Sequence, residues 1–147
     1  MVPNPQYQLF LNPGDVVLCD FGPDPRQPDT YPLTSGPVSM PPEMVKPRHS
    51  VVVSVPSPGL AVVAPFSTRE PTPLKPFHVH IPLGRYPFFS EESWLKGDML
   101  QAVSRDRLDR LWFNGRHQRA RLSPADFKAV RAAALAGLGL SQLVPHL

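Results

Sequence analysis

Nineteen of the 21 prolines in this chain stand before residue 88, and only Pro124 and Pro145 follow. Proline fixes φ and lacks a backbone N–H, so helices cannot carry that density. The first two thirds must therefore be strand and loop, and a long helix has room only near the end. With 147 residues and an apolar fraction of 41%, the chain has the size and composition of one domain with a real core.

Two apolar β-branched runs dominate the proline-rich part. Val51, Val52 and Val53 lead one, Ala61 to Phe66 form the other, and Pro56, Ser57, Pro58 and Gly59 separate them. This pattern predicts buried strands at 50–55 and 60–66 joined by a tight turn. Residues 14–21 predict an earlier strand behind an irregular arm at 1–13. Residues 22–47 read as a long proline-rich loop, of which only the end at 42–46 has residues suited to being held. Such a loop is usually functional or disordered. Residues 77–81 alternate, with Phe77, Val79 and Ile81 on one face and His78 and His80 on the other. Residues 93–103 predict a strand interrupted at Gly97. Residues 111–113 and 118–122 predict a hairpin across Asn114 and Gly115, a two-residue turn signal. Ser123, Pro124 and Asp126 then open a helix over 124–138, with Ser as N-cap and Pro at the first helical position. Phe127, Val130, Ala134 and Leu138 recur on one face, Gly137 and Gly139 stop it, and 141–147 form a tail. The domain proper spans 14–140, mainly β (α+β), with the helix packed on a small curved sheet.

In an antiparallel hairpin the start of one strand lies beside the end of the next. Arg48, at the entrance of the first valine run, would then share one end of the sheet with Ser67 and Thr68, at the exit of the second. A guanidinium with two hydroxyls suits a phosphate. The bland alternatives are a strand-end cation and a local Ser/Thr turn before Arg69. Lys96 and Asp98, two apart on a predicted strand, would point to one face.

Charge is mildly basic, net +3 with a pI near 9.4, compatible with an anionic partner. Between 105 and 121 six arginines, among them Arg116 and Arg119, stand against two aspartates. Clustered arginine favours phosphates; a solvated hairpin or a dimer rim is the alternative. His78 and His80 supply two ligands at most, which is too few for a metal site with no carboxylate at motif spacing. They read as exposed strand residues that can still line an RNA groove. Trp94 and Trp112 read as core or dimer contacts rather than base platforms. Cys19 is the sole cysteine, which excludes a disulfide within the chain. The N-terminal residues do not read as a signal peptide, and no apolar run is long enough to predict a membrane span. Both readings point to the cytoplasm.

Taken in order, Gly14, Asp15, Val16 and Val17, an Arg before three valines, Val62 to Thr68, Lys96 to Gln101, Ser104 to Leu108 and a Ser-opened helix ending near Leu140 resemble the PemK/MazF family of type II toxin–antitoxin toxins. The phrase Pro42 to Lys46 resembles its YifN-like subgroup, whose members are mostly uncharacterised. The resemblance implies an SH3-like PemK/MazF-type β-barrel with one C-terminal helix, usually a homodimer. It implies an endoribonuclease that cleaves single-stranded RNA with no metal or other cofactor and is neutralised by a small antitoxin protein. Carried over by position, it implies catalytic roles for Arg48, Ser67 or Thr68 and Asp98, with Lys96 beside the RNA. His78, His80, Arg116 and Arg119 are added as RNA contacts on residue type alone. The sequence departs from the family at His49, where proline commonly follows the arginine, at Lys96, where arginine is usual, and in the long 22–47 loop. A non-catalytic RNA- or protein-binding module on the same barrel is the alternative. Gyrase poisoning is weaker still, because the barrels with that activity rely on C-terminal aromatics and this chain ends in Val144, Pro145, His146 and Leu147.

Overall fold

The computed structural model describes residues 10–26 and 40–147. Residues 1–9 of the arm and 27–39 of the 22–47 loop therefore lie outside the described residues. Strand β1 (Asp15–Asp20) pairs antiparallel with β2 (Pro47–Ser57), with Val16 facing Val51 and Cys19 facing Arg48. Strand β2 in turn pairs with β3 (Leu60–Ser67), Val51 facing Ala64 and Val52 facing Val63. Each of the two outer strands of this trio divides its free edge. Strand β3 gives its first half to β6 (Gln101–Ser104) and its last residues to β5 (Ser93–Lys96), which also carries β4 (His78–Ile81). Strand β1 is shared between β7 (Leu108–Asp109) and β10 (Ala120–Arg121). An edge divided between two partners fits a twisted, curled sheet. Among the described residues no ladder joins β4 to β10, so no ladder closes the sheet into a barrel.

The apolar runs are continuous because the sheet is covered on both faces. Val16, Val51, Ala64, Phe66, Ile81 and Leu95 face one buried cluster with Val130 and Ala133 of the helix α1 (Pro124–Gly137). Their neighbours Val17, Val52, Val63, Cys19 and Phe21 face a second cluster, closed by Leu11, Val103 and Leu108. Helix α1 begins as the sequence predicts: the Ser123 side chain accepts from the Asp126 N–H and Pro124 occupies the first position.

Two local expectations change and a third sharpens. The interruption expected at Gly97 in the 93–103 strand is a complete break, in which Gly97–Met99 form a single 3-10 turn. The reason is the approach of α1: a Cβ on Gly97 would stand 2.7 Å from the carbonyl oxygens of Ala133 and Phe77. Gly137, expected to stop the helix, is instead its last residue and lies against the Gly97 backbone, while Leu138 is 61% exposed. The hairpin across Asn114 and Gly115 pairs β8 (Leu111–Phe113) with β9 (Arg116–Gln118), not with 118–122. Ala120 and Arg121 are drawn away to β1. Positive φ values of 51° and 81° at Asn114 and Gly115 give the turn its left-handed residues. Beyond α1, Ser141–His146 form a 3-10 helix.

Candidate functional site

Strand β2 opens at its N-terminal end onto a cleft of about 130 Å³. Pro47, Arg48 and His49 form one wall, Phe66 and Thr68 of the β3 end a second, and Phe89, Ser90, Glu91 and Ser93 a third. The hairpin creates this meeting. Continuing the register in which Ser50 faces Pro65 sets Arg48 across from Ser67. The loop before β2 is pinned at its neck, where Phe21 N–H donates to Lys46 O and Lys46 N–H to Gly22 O. The Arg48 Nε donates to Val45 O at 3.3 Å, and Val45 is itself buried. One guanidinium edge is thus held by backbone.

The two hydroxyls have separate fates. Thr68 lines the cleft. The Ser67 Oγ accepts from Arg69 N–H at 3.1 Å, the local turn that is the alternative reading of that pair. Across the sheet the row continues from Ser67 to Trp94 and His80. His80 stacks on Trp94 at 5.1 Å between ring centroids, and its Nε2 meets Glu92 Oε2 at 2.6 Å. That hydrogen bond holds the Glu92 carboxyl below its ordinary value.

Asp98 does not join Arg48. It is exposed in the 3-10 turn after β5, beside the end of α1, and is not among the residues lining the cleft. The expectation that Lys96 and Asp98 share a strand face fails because Gly97 ends the strand between them. Asp98 and Lys96 both act electrostatically on His78, whose pKa is lowered mainly by burial. His78 faces Lys96 across the ladder, and its Nδ1 accepts from Lys75 N–H.

The arginine cluster divides as well. Asp15 is completely buried. Its carboxylate takes Nε and Nη2 of Arg119 at 3.2 Å each, with Arg121 Nε at 3.5 Å and Arg110 Nη1 at 3.8 Å. Arg119, expected on RNA, therefore spends its planar fork on the fold. Arg116 is exposed on β9 across from Phe113, while Trp112, which is 65% exposed, faces His117.

His49 is the cleft residue that motif reading passes over; its one sequence signal is its place directly after Arg48. Its Nε2 lies 3.0 Å from Phe88 O and its ring packs on Phe89 at 5.4 Å. Burial lowers its pKa, partly offset by the Phe88 hydrogen bond. Cys19, cross-strand from Arg48, is pushed up to about 12 by burial, which leaves it a thiol rather than a nucleophile. Among the described residues no three His, Cys, Asp or Glu side chains group as a metal would require.

A family model described as PemK-like, MazF-like toxin of type II toxin-antitoxin system matches residues 12–137. The protein YifN of Escherichia coli (strain K12), itself uncharacterized, is 37% identical over 112 residues, which span 66% of this chain and 70% of that protein. Among solved structures, an endoribonuclease in complex with its cognate antitoxin from a mycobacterial species has a TM-score of 0.55 at 16% identity, over 89% of this chain and 97% of that one. An endoribonuclease from a mycobacterial species gives 0.54 at 16%, over 90% and 97%. The Mycobacterium tuberculosis toxin MazF-mt6 gives 0.52 at 17%, over 67% and 92%. At these identities the structural likeness is one of fold.

Proposed function

We propose that this chain, which belongs to the family of PemK-like, MazF-like toxins of type II toxin–antitoxin systems, is an endoribonuclease that cuts single-stranded RNA without a metal. The observation that carries the reading is the cleft shared by Arg48 and Thr68. Attack of a 2′-hydroxyl on the adjacent phosphate builds negative charge on the phosphorane oxygens. Preorganised donors in a partly dry cleft stabilise that charge far more than water does. Arg48 supplies the cationic donor, and Thr68 supplies a neutral one for a second oxygen. The row through Ser67, Trp94 and His80 gives the strand a path across the sheet, with Lys96 as a cation for a flanking phosphate and His78 beside it. Arg116 is a further contact, on the β8–β9 hairpin.

The endoribonucleases among the similar folds, one bound to its antitoxin, support the same activity here and a small antitoxin as protein partner. A homodimer in the cytoplasm completes the reading. Among the described residues no helix is long and apolar enough to cross a membrane. The likeness to YifN supports placement in that subgroup. Growth arrest on induction, relieved by Arg48→Ala and by co-expression of an adjacent small acidic protein, is the expected result. Arrest that persists in Arg48→Ala overturns the reading in favour of a module that binds without cutting.

A further inference from the structure

We propose that His49 is the proton acceptor of the cleavage step, through its Nδ1 atom; the proposal rests on the RNA-cutting reading above. A carbonyl oxygen can only accept, so the hydrogen bond between Nε2 and Phe88 O requires the hydrogen on Nε2. In the neutral ring that leaves the lone pair on Nδ1. No other described residue bonds to Nδ1. The ring is fixed on its far side by Phe88 O and Phe89, and His49 lines the same cleft as Arg48 and Thr68. One face of a half-buried imidazole is thus anchored, in a residue that lines the cleft proposed to take the phosphate. The groups that combine a proton-accepting atom with a place in this cleft are few. Glu91 is exposed at its rim, Arg48 is a permanent cation, and the remaining lining residues, from Pro47 through Ser93, do not titrate in the neutral range. Burial keeps His49 in the neutral form near neutrality, the form a base needs.

Nδ1 takes the 2′-hydroxyl proton while the 2′-oxygen forms a bond to phosphorus. The bond from phosphorus to the 5′-oxygen breaks, and that oxygen takes a proton from a cleft water. The resulting hydroxide accepts the imidazolium proton and restores both the water and the neutral ring. The products are a 2′,3′-cyclic phosphate and a 5′-hydroxyl, with no net water consumed.

The test is steady-state cleavage of a long single-stranded RNA in EDTA by the full chain and by His49→Gln, from about pH 5 to about pH 8. The expected result is a loss of about 10²-fold or more in kcat for His49→Gln, with little change in KM. In the native chain kcat/KM falls on the acid side with a midpoint below the ordinary 6.5 of histidine, and the variant lacks this limb. If His49→Gln fails to fold by thermal melt, the native profile decides alone, and a flat acid side overturns the proposal. A native chain that cleaves and a folded variant that cleaves equally well with the same acid limb also overturn it, while sparing the nuclease reading. If the native chain cuts no RNA, the nuclease reading itself falls and takes this assignment with it.

Discussion

Arg48 holds its place through backbone contacts: its Nε is tied to Val45 O at 3.3 Å, and the strand it opens is clamped between β1 and β3. Its removal should therefore harm chemistry more than folding. Arg48→Ala is expected to cost about 10²–10³-fold in kcat, the scale of losing one oxyanion donor, with an unchanged melt, whereas Asp98→Asn should cleave nearly as the native chain does. Kinetics on both variants check this, and an inactive Asp98→Asn would restore the carboxylate as a catalytic group. Position explains which residues could be found beforehand. Arg48 and Thr68 stand out because each flanks an apolar run whose pairing fixes its neighbours. Asp98 shares a face with Lys96 only if strand alternation runs on through Gly97, where the helix imposes a turn. His49 carries no motif, and only the Phe88 carbonyl and the Phe89 ring against it reveal its setting. It also gives the protein a pH signature. Its folded pKa lies below the unfolded value, so between the two the unfolded chain binds more protons and stability rises with pH. The melting temperature should fall on acidification below about pH 6.5, and less so in His49→Gln.

At the scale of elements, the joint between α1 and the turn after β5 is the most demanding contact. Gly137 meets the Gly97 carbonyl and the Asp98 amide there, with no room for a Cβ. In an ordinary helix Gly→Ala stabilises by about 1 kcal/mol. Here Gly137→Ala should reverse sign and destabilise by roughly 1–3 kcal/mol, as overpacking does; denaturant titration reads it, and a stabilised variant would show that the joint yields. Sequence predicted the helix start, the strands from β1 to β4 and the Asn114–Gly115 turn because each carries a local signal in capping, β-branching or left-handed φ. It did not predict that β9 ends at Gln118 and that Ala120 leaves for β1. That choice depends on an edge made by residues about a hundred positions earlier.

Over the whole molecule, the surplus of arginine is partly a device of the fold. Asp15, fully buried on β1, gathers Arg110, Arg119 and Arg121 from the far end of the sequence and so ties the late strands to the first. Asp15→Ala should lower stability by about 3 kcal/mol, the low end for a broken buried pair. Two of the arginines left behind, Arg119 and Arg121, are 42% and 51% exposed and can rehydrate. A denaturation midpoint unchanged in this variant would contradict the role. What remains for a polyanion is the cleft at Arg48, the row beyond it and the exposed Arg116. The direct measurement is incubation of the purified chain with a long single-stranded RNA in excess EDTA, followed by analysis of the fragment ends. Fragments with 5′-hydroxyl and 2′,3′-cyclic phosphate ends that vanish with Arg48→Ala are the expected result; intact RNA, or cleavage that survives that substitution, overturns the nuclease reading.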